Sequence, residues 1–282
     1  MSAGRAHAPA PAGRDPAGPG LVRLDWAGRE VWVEAQRIGS ATGAGPLVVF
    51  LHEGLGSVSM WRGWPARLCG AVGARGLVWS RPGYGRSTPR AAGERWGPDF
   101  MHRQALEVLP ALLRAVGIDP AREPPWLFGH SDGASIALIH AARRPGQVAG
   151  VVALAPHILV EDVSIRSIEL AREAYRSGDL RARLARHHDD VDSAFFGWND
   201  AWLDPAFRSW SIEAELGAIE CPVLAVQGER DQYGTMAQIE GIARAVPGRV
   251  ELLRLADCGH SPHRDRHDAL ERAVARFMAP GA

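Results

Sequence analysis

The sequence predicts an α/β protein: a mainly parallel sheet covered by helices on both faces and interrupted by one helical insertion. Three observations predict it. Short apolar runs of strand length recur along the chain. Helix-spaced segments of roughly 10 to 18 residues separate them, the alternation expected of a parallel sheet. One stretch, residues 157–216, holds helical segments and no convincing strand.

In chain order, residues 1–20 are rich in Ala, Pro and Gly and lack an apolar stretch resembling a signal-peptide core. Such a segment cannot bury enough surface to offset its ordering entropy, so a disordered tail and a cytoplasmic location are expected. Leu21–Trp26, a turn at Gly28 and Val31–Gln36 then read as two strands. Pro46–Leu51 is an uninterrupted apolar run, as in a strand buried on both faces. A helix is expected over Val58–Val72, and a strand over Gly76–Trp79, closed by the turn-rich loop Arg81–Ser87. Asp99–Val116 has helical spacing at Leu106, Leu109, Leu113 and Val116, with Gly117 as its stop.

Trp126–Phe128 and Val148–Leu154 read as strands flanking a helix over Gly133–Ala142. Beyond the insertion come strands Val223–Val226 and Val250–Leu255, with a helix over Gly234–Ala245 between them and a last helix over Ala269–Met278. The expected organisation is a core of residues 21–156 and 217–282, with residues 157–216 as a helical lid. That insertion carries Phe195, Phe196, Trp198, Trp202, Phe207 and Trp210. These aromatics suit either the lining of a pocket or a small core of the insertion's own.

Composition removes several function classes. Basic and acidic residues number 32 each, so no excess field draws the chain to nucleic acid. Every basic residue is arginine, and the absence of lysine excludes a Walker A loop, a pyridoxal Schiff base and a lysine nucleophile. No apolar run approaches the roughly 20 residues of a membrane-spanning helix. The cysteines at 69, 221 and 258 form no C-x-x-C pair and read as buried thiols of a reducing compartment. Cys258, two residues before His260, has the alternative of lining a site.

The strongest chemical signal is Gly129-His130-Ser131-Asp132-Gly133, placed between an apolar strand and a helix. A nucleophilic serine on such a sharp turn needs small neighbours two positions away. A serine hydroxyl is a poor nucleophile unless a base takes its proton. His260, on the loop after Val250–Leu255, is the candidate base, and Asp231, after Val223–Val226, the carboxylate that orients it. Glu229 is the nearest rival carboxylate. His130 is expected to point away from the nucleophile, and His263 to open the last helix. His187 and His188, beside Asp189, Asp190 and Asp192, read as a solvated surface rather than a metal site.

Acyl transfer also needs donors for an oxyanion. The backbone N–H of Asp132 is one candidate; the loop His52–Ser57 supplies the other, with Gly54 favoured and Leu55 the alternative.

Together, the His52 glycine loop, Arg81-Pro82-Gly83-Tyr84-Gly85-Arg86-Ser87, the Ser131 elbow, Gly228-x-x-Asp231 and Gly259-His260 resemble the α/β-hydrolase superfamily from about residue 21 to 278. The resemblance implies a central eight-stranded sheet, a cap inserted after the sixth strand, and no cofactor. Glu53 departs from the glycine that follows the histidine in many members; a carboxylate there disfavours an anionic intermediate unless it points away or is neutralised by arginine. Similar chains are carboxylesterases, lactonases, carbon–carbon bond hydrolases of aromatic breakdown, and acyltransferases. Serine at 131 argues against dehalogenase and epoxide-hydrolase chemistry. The expected activity is cleavage of a small, mainly apolar ester or related acyl compound through an acyl-enzyme, with carbon–carbon hydrolysis, acyl transfer and a non-enzymatic ligand receptor as rivals. Expected partners are that small molecule and neither nucleic acid nor membrane, with a homodimer left open.

Overall fold

The computed structural model describes residues 19–39 and 43–279. The tail expected over residues 1–20 lies outside them except at its last two positions, where the first strand already begins. In chain order the elements are β1 Gly20–Trp26, β2 Arg29–Ile38, β3 Leu47–Leu51, α1 Trp64–Val72, β4 Arg75–Trp79, α2 Phe100–Arg103, α3 Leu109–Ala115, β5 Trp126–His130, α4 Asp132–Arg143 and β6 Gly150–Leu154. There follow α5 Asp162–Ser177, α6 Leu180–Leu184, α7 Val191–Trp202, α8 Glu213–Leu216, β7 Val223–Gly228, α9 Ala237–Ala245, β8 Val250–Leu255, α10 Pro262–Asp265 and α11 His267–Met278. The eight strands form one sheet in the order β1-β2-β4-β3-β5-β6-β7-β8. The two β2 pairings are antiparallel and all the others parallel.

The central strands β3, β6 and β7 are buried at every position, which explains why their sequences are apolar without alternation. Alternation is present in the packing instead. Val49, Leu51, Leu127, Val151 and Ala225 face one layer, with Ile136 and Leu138 of α4 and Ile239 and Ile242 of α9. Val48, Phe50, Phe128, Val152 and Val226 face the other, against Leu68 of α1 and Leu270, Val274 and Phe277 of α11. Each apolar run thus serves two cores at once.

Two expected helices are broken for local reasons. Over Val58–Val72, Arg62 adopts φ 54° and separates a 3-10 turn, Val58–Trp61, from α1. Over Asp99–Val116, a wider π turn at Gln104–Val108 joins α2 to α3. Pro110 has no N–H to offer the carbonyl four residues back and its ring crowds that carbonyl, which a wider turn relieves. Gly117, at φ 75°, ends this segment as expected.

Between β6 and β7 the chain is helical, with one isolated bridge, Leu159 to Ser211. Most of its aromatics pack on one another: Tyr175 stacks on Phe195 at 3.7 Å and Phe207 on Trp210 at 5.1 Å. Phe207 also meets Phe100 of α2, at 5.7 Å, so this small core is continuous with the large one.

Candidate active site

The site lies at the carboxyl ends of the parallel strands. Ser131 follows β5 and caps α4 with φ 54° and ψ −121°, a conformation that costs a non-glycine residue of order 1–3 kcal/mol. The surrounding structure imposes it. The Ser131 N–H donates to the Leu154 carbonyl at 2.8 Å, and its carbonyl accepts from the Ala134 N–H at 2.8 Å. Both flanking glycines are sterically required: a Cβ on Gly129 would lie 2.5 Å from the Ala134 Cα, and one on Gly133 would strike the Leu51 carbonyl. Gly133→Ala is therefore expected to cost about 3 kcal/mol, read as a lowered urea midpoint. Gly70→Ala, in open space on α1, should instead add about 0.5–1 kcal/mol.

Ser131, His260 and Asp231 converge. The Ser131 hydroxyl lies 2.9 Å from His260 Nε2, and His260 Nδ1 is 2.9 and 2.8 Å from the two Asp231 oxygens. With Nδ1 donating to the carboxylate, Nε2 is left free to accept the hydroxyl proton. A Cβ on Gly228 would meet the Cys258 and Gly259 carbonyls, so this glycine lets the loops after β7 and β8 close on each other. Asp231 receives two further donors, Gln227 Nε2 at 2.8 Å and the Tyr233 N–H at 2.7 Å. Burial pushes its carboxyl up, but the hydrogen bond and charge of His260, with the Tyr233 N–H, outweigh that and hold it below its ordinary value. The rival Glu229 is exposed.

On the opposite side stands the His52–Ser57 loop. The Glu53 carbonyl accepts from His52 Nδ1 at 2.7 Å, Arg81 Nη2 at 2.9 Å and the Gly56 N–H at 3.0 Å. Peptide bonds are trans throughout the described residues, so the Gly54 N–H points the opposite way from that bound carbonyl. Asp132 opens α4, and its N–H has no carbonyl one turn back to bond. Glu53 folds its carboxyl back over Gly56, where a Cβ would collide with it. Burial raises the Glu53 pKa against the opposing charges of Arg264 and Arg81, which weakens any negative charge beside the loop.

The helical insertion reaches the same place. Gly54 has no room for a Cβ because the Trp198 indole lies on it. Trp202 donates its indole N–H to Asp132 Oδ1 at 3.1 Å. His188 is buried, contrary to the expectation of a solvated surface: its Nδ1 accepts from the Gly85 N–H and its Nε2 donates to the Leu55 carbonyl, both at 2.9 Å. Two loops with exposed carbonyl and amide groups needed a donor and an acceptor together, and a neutral imidazole supplies both. His187 is partly buried and bonds Ser59 Oγ. Among the described residues no cluster of His, Cys, Asp and Glu is arranged to hold a metal.

Other histidines surround the triad. His130 turns away from Ser131 and bonds the His260 carbonyl at 2.6 Å. His157, after β6, has its ring 5.9 Å from that of His260. His263 sits in α10, a separate turn before α11, and packs on Trp61 and Trp64. Cys258 is buried, with its thiol 3.5 Å from the Gly259 carbonyl.

Residues 48–273 match the model of the family described as alpha/beta hydrolase. The chain belongs to the alpha/beta hydrolase family. A 2-succinyl-6-hydroxy-2,4-cyclohexadiene-1-carboxylate synthase from Klebsiella pneumoniae subsp. pneumoniae is 24% identical over 269 residues, covering 83% of this chain and 94% of the relative. Among solved structures, VinJ is 23% identical with a TM-score of 0.70, over 93% of this chain and 98% of that one. The enol-lactonase from Burkholderia xenovorans LB400 is 19% identical with a TM-score of 0.68, over 91% and 99%. The meta-cleavage product hydrolase CumD from Pseudomonas fluorescens IP01 is 19% identical with a TM-score of 0.67, over 90% and 96%. At these identities the likeness to the solved structures is one of fold.

Proposed function

We propose that this family member is a serine hydrolase that cleaves a small, mainly apolar carboxylic ester or related acyl compound. The carrying observation is the continuous hydrogen-bond chain from Ser131 through His260 to Asp231. Ser131 Oγ attacks the carbonyl carbon while His260 Nε2 takes its proton and Asp231 stabilises the resulting imidazolium. The N–H groups of Asp132 and Gly54 hold the oxyanion; Leu55 is the alternative for the second. Collapse breaks the ester bond, and His260 returns the proton to the departing alcohol. Water, deprotonated by the same imidazole, then releases the acid and restores the serine.

The acyl group's apolar character is supported by the rings around the triad, with Tyr233 4.7 Å from the His260 ring and Trp202 4.9 Å from His157. Residues 157–216 act as a lid in this scheme, supported by the contacts of Trp198, Trp202 and His188 with the two oxyanion segments. The three cysteines are free, which suits a reducing compartment, and on this reading the protein works in the cytoplasm.

The test is a substrate panel read with active-site labelling. A fluorophosphonate should modify one serine per chain, Ser131, and p-nitrophenyl esters of short acids should give a burst followed by steady turnover. Faster turnover of a vinylogous diketone, with weak ester activity, would move the assignment to carbon–carbon hydrolysis, and preference for an alcohol or thiol over water to acyl transfer. Tight ligand binding with no turnover on any of these would indicate a receptor.

A further inference from the structure

Arg81 is fully buried, and its guanidinium touches both segments assigned to the oxyanion. It donates through Nη2 to the Glu53 carbonyl at 2.9 Å, on the loop that carries Gly54. Its Nη1 faces Asp132 Oδ2 at 3.8 Å, on the first residue of α4. Neither of these last two atoms has a hydrogen-bond partner among the described residues, so at 3.8 Å the two meet as opposite charges without a hydrogen bond. The guanidinium sits 4.7 Å over the Tyr84 ring, and the Arg81 N–H donates to His52 Nε2 at 3.0 Å. Trp202 holds the other Asp132 oxygen. An arginine fits this position because its planar fork presents two separate donors on one rigid group, which an ammonium does not.

Resting on the acyl-transfer reading above, we propose that Arg81 is the positioning residue of the oxyanion site, fixing the Glu53–Gly54 peptide and the start of α4 relative to each other. It touches no reacting atom. Without Arg81 the Glu53 carbonyl keeps only the His52 Nδ1 and Gly56 N–H donors, so the Glu53–Gly54 peptide is held less firmly and the Gly54 N–H shifts with it. The loss then falls on the transition state, where charge develops on the oxygen, and spares the bound ester.

Four proteins test this: wild type, Arg81→Gln, the double variant Arg81→Gln/Asp132→Asn, and Ser131→Ala. The double variant guards against misfolding, since Arg81→Gln alone leaves Asp132 buried without its partner charge. Rates for a p-nitrophenyl ester are normalised to sites titrated to completion with fluorophosphonate, so partial misfolding does not enter. Arg81→Gln and the double variant are expected to lose about 10²-fold in kcat, the scale of one missing oxyanion donor. KM should stay within about threefold, and affinity for a trifluoromethyl ketone, which forms an oxyanion on Ser131, should fall by the same factor as kcat. A kcat per titrated site within threefold of wild type, in whichever variant folds, overturns the proposal. So does a fall in kcat with unchanged ketone affinity, which would put the loss outside the oxyanion site. Ester turnover that persists in Ser131→Ala removes the acyl-transfer reading itself, and Arg81's role with it.

Discussion

Ser131→Ala is expected to lower kcat for an activated ester by on the order of 10⁶-fold, and His260→Ala by nearly as much. The double variant Ser131→Ala/His260→Ala should be no worse than either single one, because a base with no hydroxyl to deprotonate has nothing left to contribute. Asp231→Asn should cost less, about 10⁴-fold. The asparagine amide can still be held by the Gln227 and Tyr233 donors, but it no longer stabilises an imidazolium or the Nδ1–H tautomer. Residual activity above about a tenth of wild type in Ser131→Ala would place the chemistry elsewhere. A companion stability measurement separates strain from function. Alanine keeps the unfavourable φ of 54° at position 131, whereas Ser131→Gly relieves it. The glycine variant should be more stable than the alanine one by about 1–2 kcal/mol while equally inactive.

The legible part of this protein was whatever a single local pattern encodes. The central strands β3, β6 and β7 were visible as short apolar runs, because strands covered on both faces disfavour polar positions, while β1 and β2 showed as strand, turn at Gly28 and strand. Ser131, Asp231 and His260 stood out because each follows such a run and because glycines at 129, 133 and 228 mark places where backbones nearly touch. The residues that support them left no such mark. Gln227 is one polar residue at the end of β7, and only the fold shows that its amide reaches Asp231. Arg81 sat inside a recognised loop motif, yet its link between Glu53 and Asp132 joins positions 28 and 51 residues away. His188 misled for the same reason. Surrounded in sequence by Asp189, Asp190 and Asp192 it looks solvated, and its burial comes from Gly85 and Leu55, more than a hundred residues upstream. The break near Arg62 arises from a single backbone angle, and the π turn before Pro110 from the ring's crowding of the preceding turn, neither of which apolar spacing reports.

The same buried histidines predict a second large effect, acid unfolding at an unusually mild pH. His52, His130, His140, His157, His188 and His263 are each at most 6% exposed. Burial is the largest cause in every case, and it lowers all six below the ordinary imidazole value: His157 and His263 to about 3, His188 to about 4. The unfolded chain takes up these protons near pH 6.5, while the folded chain refuses them until far lower pH. Below pH 6.5 the unfolded state therefore binds more protons, and stability falls as pH falls. Each histidine contributes up to about 1.4 kcal/mol per pH unit until its folded pKa is reached. For His157, His188 and His263 alone this amounts to about 6 kcal/mol at pH 5, against a typical total of about 5–15 kcal/mol. Glu53 and Asp132, raised by burial, act in the opposite direction, but they are two groups against six. The urea midpoint should thus be flat above pH 7 and fall steeply below pH 6.5, with cooperative unfolding in buffer near pH 5 that takes up at least three protons. An equal midpoint at pH 7.5 and pH 5 would rule this out. His263→Phe keeps a ring against Trp61 and Trp64 and gives up an Nδ1 that has no partner among the described residues. It should reduce the proton uptake by about one and shift the transition to lower pH.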